Sequence, residues 1–104
     1  MAQFDVYENT DQVSRTSAPY LLDVQADLLN KLTTRVVVPL VTVAAMGKPV
    51  RLLNPQFEVE GKAVVMSTAE LSGIHIRELG VKAGTLKDSR TEIITALDFL
   101  FMGF

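Results

Sequence analysis

Arg35-Val36-Val37-Val38-Pro39-Leu40 is the stretch on which the fold turns. Its β-branched residues run on without alternation, which suits a strand covered on both faces and makes it the candidate for the centre of a sheet. Pro39 has no N–H to give to a ladder. Regular pairing is therefore expected to loosen or bulge there, with the chain still extended to Val43.

Upstream, Tyr20 to Val24 is a second apolar run, closed by the polar Asp23, Gln25 and Asp27 with Leu28 and Leu29 beyond them. Glu8 to Ala18 is polar, has no helical stripe and ends at Pro19, so it reads as a mobile loop. Gln3-Phe4-Asp5-Val6-Tyr7 before it is a short alternating strand. Downstream, Gly47-Lys48-Pro49 and Asn54-Pro55 are turn signals. Phe57 and Val59 alternate with Glu58 and Glu60 up to Gly61, and Lys62 to Met66 returns as a strand, the clearest hairpin in the chain. Ile74-His75-Ile76-Arg77 alternates again before a segment punctuated by Gly80 and Gly84. Several short strands at close spacing predict a mostly antiparallel sheet folded as a barrel or as two packed sheets.

One long periodic segment closes the sequence. Ser89 followed by Glu92 has the form of a capping box, so a helix should start there. At 100° per residue Ile93, Ile94, Leu97, Leu100 and Phe101 fall in one sector and form its core-facing stripe, with Gly103 as the stop. Phe99 and Met102 project off that stripe, towards Thr91, Glu92, Thr95 and Asp98, where nothing requires an apolar residue if that side faces water. Monomeric proteins seldom leave large contiguous apolar patches in water. Phe99, Met102 and Phe104 together therefore suggest burial against another chain, the alternative being that they complete the core from a bent terminus.

Composition removes many chemistries. The 104 residues include no cysteine, which excludes disulfides, thiolate metal sites and cysteine nucleophiles. Ten Lys+Arg against twelve Asp+Glu give a formal net charge of -2, without the basic surface that nucleic-acid binding usually draws on. The longest apolar runs, Arg35 to Met46 and Phe99 to Phe104, fall short of the ~20 residues of a membrane span. A soluble, cytoplasmic protein forming one domain over residues 1–104 is the expectation. His75 sits between isoleucines in an alternating segment and reads as a solvated surface residue, and Glu58 and Glu60 serve solubility at a hairpin tip. The hydroxyls of Ser14, Thr33, Thr34, Ser67 and Thr68 have no nearby histidine in sequence, and the glycines match no phosphate-binding loop. No catalytic residue, metal or cofactor is expected.

At this point the residues carry a resemblance. Gln3-Phe4 with Val6-Tyr7, Leu22-Asp23-Val24-Gln25-Ala26-Asp27, Arg35 to Leu40, Met66-Ser67-Thr68 and the closing Phe101-Met102-Gly103-Phe104 occur in the order found in CcdB-type toxins. The chain resembles that family nearly end to end. The resemblance implies an SH3-like antiparallel barrel with a C-terminal α-helix. It also implies a non-enzymatic homodimeric toxin of a toxin-antitoxin module, which binds the DNA gyrase A subunit and traps gyrase on cleaved DNA. A CcdA-type antitoxin would neutralise it and, bound to it, repress the module's operator.

The family's gyrase-contacting patch centres on residues matching Met102, Gly103 and Phe104, beside Phe101, with Asp98, Leu28 and Leu29 flanking. The glycine is kept. A tryptophan often stands where Met102 does, stacking on a gyrase arginine with about 0.5–2 kcal/mol that methionine cannot reproduce. Two rivals stay open: a messenger-RNA endoribonuclease on the same barrel using Arg35, Arg51 and Thr68, and a non-toxic assembly subunit. For the antitoxin, Glu8 to Ser17 and Val41 to Arg51 are candidate edges where an unfolded peptide would lie.

Overall fold

The computed structural model describes residues 1–103, so the role expected of Phe104 lies outside the described residues. Strands β1 (Asp5–Asn9), β2 (Tyr20–Asp23), β3 (Thr34–Thr42), β4 (Gln56–Val59), β5 (Lys62–Met66), β6 (Ser72–His75) and β7 (Leu79–Thr85) join in one antiparallel sheet. Their order is β4-β5-β3-β2-β1-β7, with β6 also pairing β3. A one-turn helix α1 (Val43–Met46) follows β3, and α2 (Arg90–Met102) ends the chain. The end strands β4 and β7 do not pair with each other among the described residues, so the curled sheet is a half-barrel. The fold is mostly β with a C-terminal helix, as the strand and helix patterns predict.

β3 is central and covered on both faces. Val38 and Leu40 point into the main core with Val6, Leu22, Val64 and Met66, which Ile93 and Ala96 of α2 cap. On the opposite face Val41 packs with Ala18 and Val65, and Met46 leans against them. A strand buried on both sides has no polar face to alternate with, which is why its sequence runs continuously apolar.

At Pro39 the pairing loosens on one edge, as expected, and the strand does not bulge. Val36 directs its N–H and C=O towards the β2 side, to the Gln25 side chain and from the Val24 N–H, so Val37, Pro39 and Val41 direct theirs to the other edge. There β6 ends opposite Val37 and β5 begins opposite Leu40, and the missing donor falls in the gap between them. The Pro39 carbonyl still accepts from the Ser67 N–H at 2.9 Å, and the β2 ladder passes through Leu21↔Pro39 in unbroken register. Extension ends at Thr42, whose hydroxyl accepts from the Ala45 N–H and opens α1 at Val43.

Several other expectations are corrected. The first strand begins at Asp5, because Phe4 turns through φ +72° while its buried ring fills the core. Residues 11–18 form hydrogen-bonded turns, Arg15 N–H to the Asp11 carbonyl and Ala18 N–H to the Ser14 carbonyl, with the Asn9 amide donating to the Ala18 carbonyl. The strand read through Arg77 stops at His75. That histidine is half-buried and acts as a cap, its Nδ1 accepting from the Arg77 N–H while its own N–H donates to Glu78. The β4–β5 hairpin is where the sequence put it, turning through Glu60 and Gly61 at φ +51° and +76°. The glycine-punctuated segment is β7, and Gly80 serves close approach: a Cβ there would lie 2.7 Å from the Glu8 carbonyl oxygen.

Ser89 occupies the N-cap position of α2, but its hydroxyl makes no cap bond. The chain enters the helix from a tight turn at Lys87–Ser89, with the Ser89 N–H on the Leu86 carbonyl. No helix among the described residues is long and apolar enough to cross a membrane.

Candidate interaction surface

The last turn of α2 is built from two helical periods that part company. Ile93 and Ala96 are buried, and Ile94 and Leu97 pack against the core. Phe101 lies seven residues beyond Ile94, on nearly the same side of the helix, yet it is 66% exposed and does not belong to the core stripe. The core that covers Ile94 no longer covers Phe101. Met102 is 63% exposed, as its off-stripe position predicts, whereas Phe99 is half-buried rather than turned to solvent.

Asp98, Phe101 and Met102 stand at i, i+3 and i+4 and are all exposed, so they share one helix face. Gly103 closes it in the left-handed region at φ +78°, ψ +11°, its N–H bonding the Phe99 carbonyl at 3.0 Å. A Cβ on Gly103 would meet nothing within 4 Å. The position is open to an approaching backbone, and its conformation suits glycine.

Leu28 and Leu29 lie elsewhere, on an exposed turn at Asp27–Leu29, where Leu28 is 94% exposed. Asp27 accepts from the Gln3 N–H at 2.7 Å, and the Gln3 side chain accepts from Arg90 at 3.4 Å. These bonds link the turn to the first residue of α2, about 18 Å along the helix axis from Met102 at about 1.5 Å per residue. The predicted flanking pair thus forms a second apolar spot, tied by these bonds to the opposite end of the helix.

The strongest buried polar feature was not legible as a site. Asp23 and Arg35 form an ion pair at 2.6 Å with both side chains sealed from solvent. Arg35 also donates to Asn30 and to the Gln25 carbonyl, while Asp23 accepts from the Gln25 N–H. Burial pushes the Asp23 carboxyl above its ordinary value, against the pull of the guanidinium and that N–H. The signal available in sequence was one charge at the edge of each of two apolar runs.

The pair bears on chemistry. Arg35 is 1% exposed and Thr68 is fully buried, its hydroxyl donating to the Leu53 carbonyl, so neither can meet a nucleic-acid backbone. Of the ribonuclease constellation only Arg51 is exposed. Among the described residues no cluster of three or more His, Asp or Glu side chains is placed to hold a metal ion.

No curated protein matches the chain. A model of the family described as CcdB protein matches residues 3–103.

Proposed function

The chain belongs to the CcdB family, the toxins of toxin-antitoxin modules, and on that premise we propose that it is a non-enzymatic poison of DNA gyrase. The exposed end of α2 carries the reading: Phe101 and Met102 stand in solvent beside Asp98, on a face that ends in an unobstructed Gly103. Aromatic and methionine side chains are enriched at interface cores, where charge is depleted. Two large apolar side chains held out by a helix suit capture by another protein better than water.

In this proposal the toxin acts as a homodimer in the cytoplasm, where gyrase works, with residues 1–104 as one domain. The two helix ends meet near the two-fold axis and form one composite patch, and Phe104 is assigned to the same contact from the family resemblance. The patch binds the gyrase A subunit and holds the enzyme on cleaved DNA, with Leu28 and Leu29 as outlying contacts. A CcdA-type antitoxin covers the toxin and with it represses the operator. No metal or cofactor takes part, and nucleic acid is met only through the antitoxin complex.

The test is gyrase-mediated DNA cleavage with ATP and the purified protein. Accumulation of linear plasmid that depends on the protein supports the reading. Unchanged supercoiling and no linear product across a wide concentration range overturn it.

A further inference from the structure

His75 is the chain's one histidine, and gyrase poisoning leaves it without a task. It stands where β6 passes into the tight turn Ile76–Glu78 that leads to β7. Its Nδ1 accepts the Arg77 N–H at 3.1 Å, and its own backbone N–H donates to Glu78 Oε2 at 3.1 Å. Only a neutral imidazole can make this cap, because the Nδ1 lone pair takes the bond and the ring proton must sit on Nε2.

The turn is also a junction. At its start the Ile76 N–H donates to the Thr33 carbonyl at 2.9 Å, just before β3. At its end the Glu78 carbonyl accepts from the Thr10 hydroxyl at 2.9 Å, a bond that reaches the 9–18 turns. The Leu79 N–H closes the turn on the Ile76 carbonyl. Of the charged groups around the ring, Arg77 and Glu78 belong to the turn itself. On β3 the residue opposite is the uncharged Thr34, and its neighbour Arg35 is turned to Asp23 in the sealed pair. On the flanking segments Lys31 precedes β3 and Asp11 follows Thr10, both exposed.

We propose that His75 is a proton-operated latch: neutral, it holds the Ile76–Glu78 turn and through Thr10 the start of the 9–18 turns, and its protonation releases both. The imidazolium carries a proton on each nitrogen, so Nδ1 then presents a donor to the Arg77 N–H. Two donors repel where one bond stood, and the Arg77 charge adds to the repulsion. The Glu78 carboxylate is drawn from the backbone N–H towards the charged ring, which undoes the second half of the cap and shifts the carbonyl that Thr10 holds. His75 and the turn lie outside the main core, so the opening is local and the sheet persists. The latch does not rest on gyrase binding, and the surface at Phe101 and Met102 is separate from it.

The test is amide exchange and ring titration by NMR on the full chain from about pH 8 to pH 5, the range in which histidine side chains change charge. Protection of the Arg77 amide, taken relative to the unstructured rate at each pH, should fall about fivefold as the ring gains its proton, the loss of one hydrogen bond of ordinary strength. The amide shifts of Thr10 and Asp11 should follow the same midpoint, while protection within β3 stays constant. His75→Asn, which offers an uncharged acceptor at every pH, should keep the turn closed throughout. His75→Lys, a cation without an acceptor, should hold it open throughout, with thermal melts showing both variants folded. Constant Arg77 protection in the parent, a pH response that survives in His75→Asn, or a closed turn in a folded His75→Lys would each overturn the proposal. So would protection that rises as the ring is protonated, or a response that stops at Arg77 and leaves Thr10 in place.

Discussion

Arg35 Nη2 lies 2.6 Å from Asp23 Oδ2 between adjacent strands, with 1% and 0% of the two side chains exposed. Removing two charges from water is costly, and their attraction offsets that cost only while both remain. Arg35→Met should therefore destabilise the fold by about 3–5 kcal/mol, as should Asp23→Leu, each leaving one buried charge without its counter-ion. The double variant should lose much less than the sum of the two. Urea unfolding of the four proteins checks this, and additive losses would refute the coupling.

Tyr20 donates its phenolic proton to Glu60 at 2.7 Å, from the sheet to the hairpin turn. Burial first, then that bond and the carboxylate charge, push its pKa up to about 12 from 10.0. The folded state thus holds the proton more tightly than the unfolded chain. The resulting stability is full below pH 10 and is lost as pH rises through the window to about 12. Two units correspond to at most about 2.7 kcal/mol, so the urea midpoint should fall across that window. Tyr7 is also raised, chiefly by burial and then by Asp5 and Asp23, and contributes in the same direction. Glu60→Gln should lower the Tyr20 transition and leave that of Tyr7 in place when tyrosinate absorbance is followed.

Gly80 is where β7 passes the carbonyl of Glu8, with 2.7 Å between that oxygen and a would-be Cβ. The obstacle is backbone and cannot swing aside as a side chain would. Gly80→Ala should force the β1–β7 edge apart and cost about 1–3 kcal/mol, within the range for overpacking. Gly73→Ala, whose Cβ meets nothing within 4 Å, is the control and should change the melting temperature little. Equal stability of the two variants would refute the close-approach account.

What could be read from the chain follows from how local each cause is. The β4–β5 hairpin was legible because its alternation and its Glu60-Gly61 turn are adjacent in sequence. The doubly covered β3 was legible because burial on both faces leaves no polar positions to mistake. The loosened pairing at Pro39 was legible from its missing N–H, but its form, a gap and not a bulge, was not, because that gap is made by strands from elsewhere in the chain, β5 and β6. Phe101 was placed in the core by its angle, since helical periodicity says which side a residue faces but not where the covering core ends. The Asp23–Arg35 pair was invisible for the same reason: only the β2–β3 register brings the two together.

The end of α2 offers the test that separates folding from recognition. Phe101 and Met102 are mostly exposed, so Phe101→Ser and Met102→Ser should leave stability within about 0.5 kcal/mol of the parent. Gly103→Glu meets no atom within 4 Å but must hold φ +78°, at roughly 1–2 kcal/mol for a residue with a Cβ. All three proteins should therefore still fold, and all three should lose gyrase-dependent DNA cleavage if this surface is the contact. Met102→Trp should move the other way, since a flat indole gains about 0.5–2 kcal/mol over an arginine that methionine cannot match. Growth arrest on expression, read beside urea midpoints of the same variants, distinguishes the outcomes. Arrest retained by Gly103→Glu and Phe101→Ser would remove this surface from the mechanism, whereas unfolding of Gly103→Glu would show that residue to be a helix stop alone.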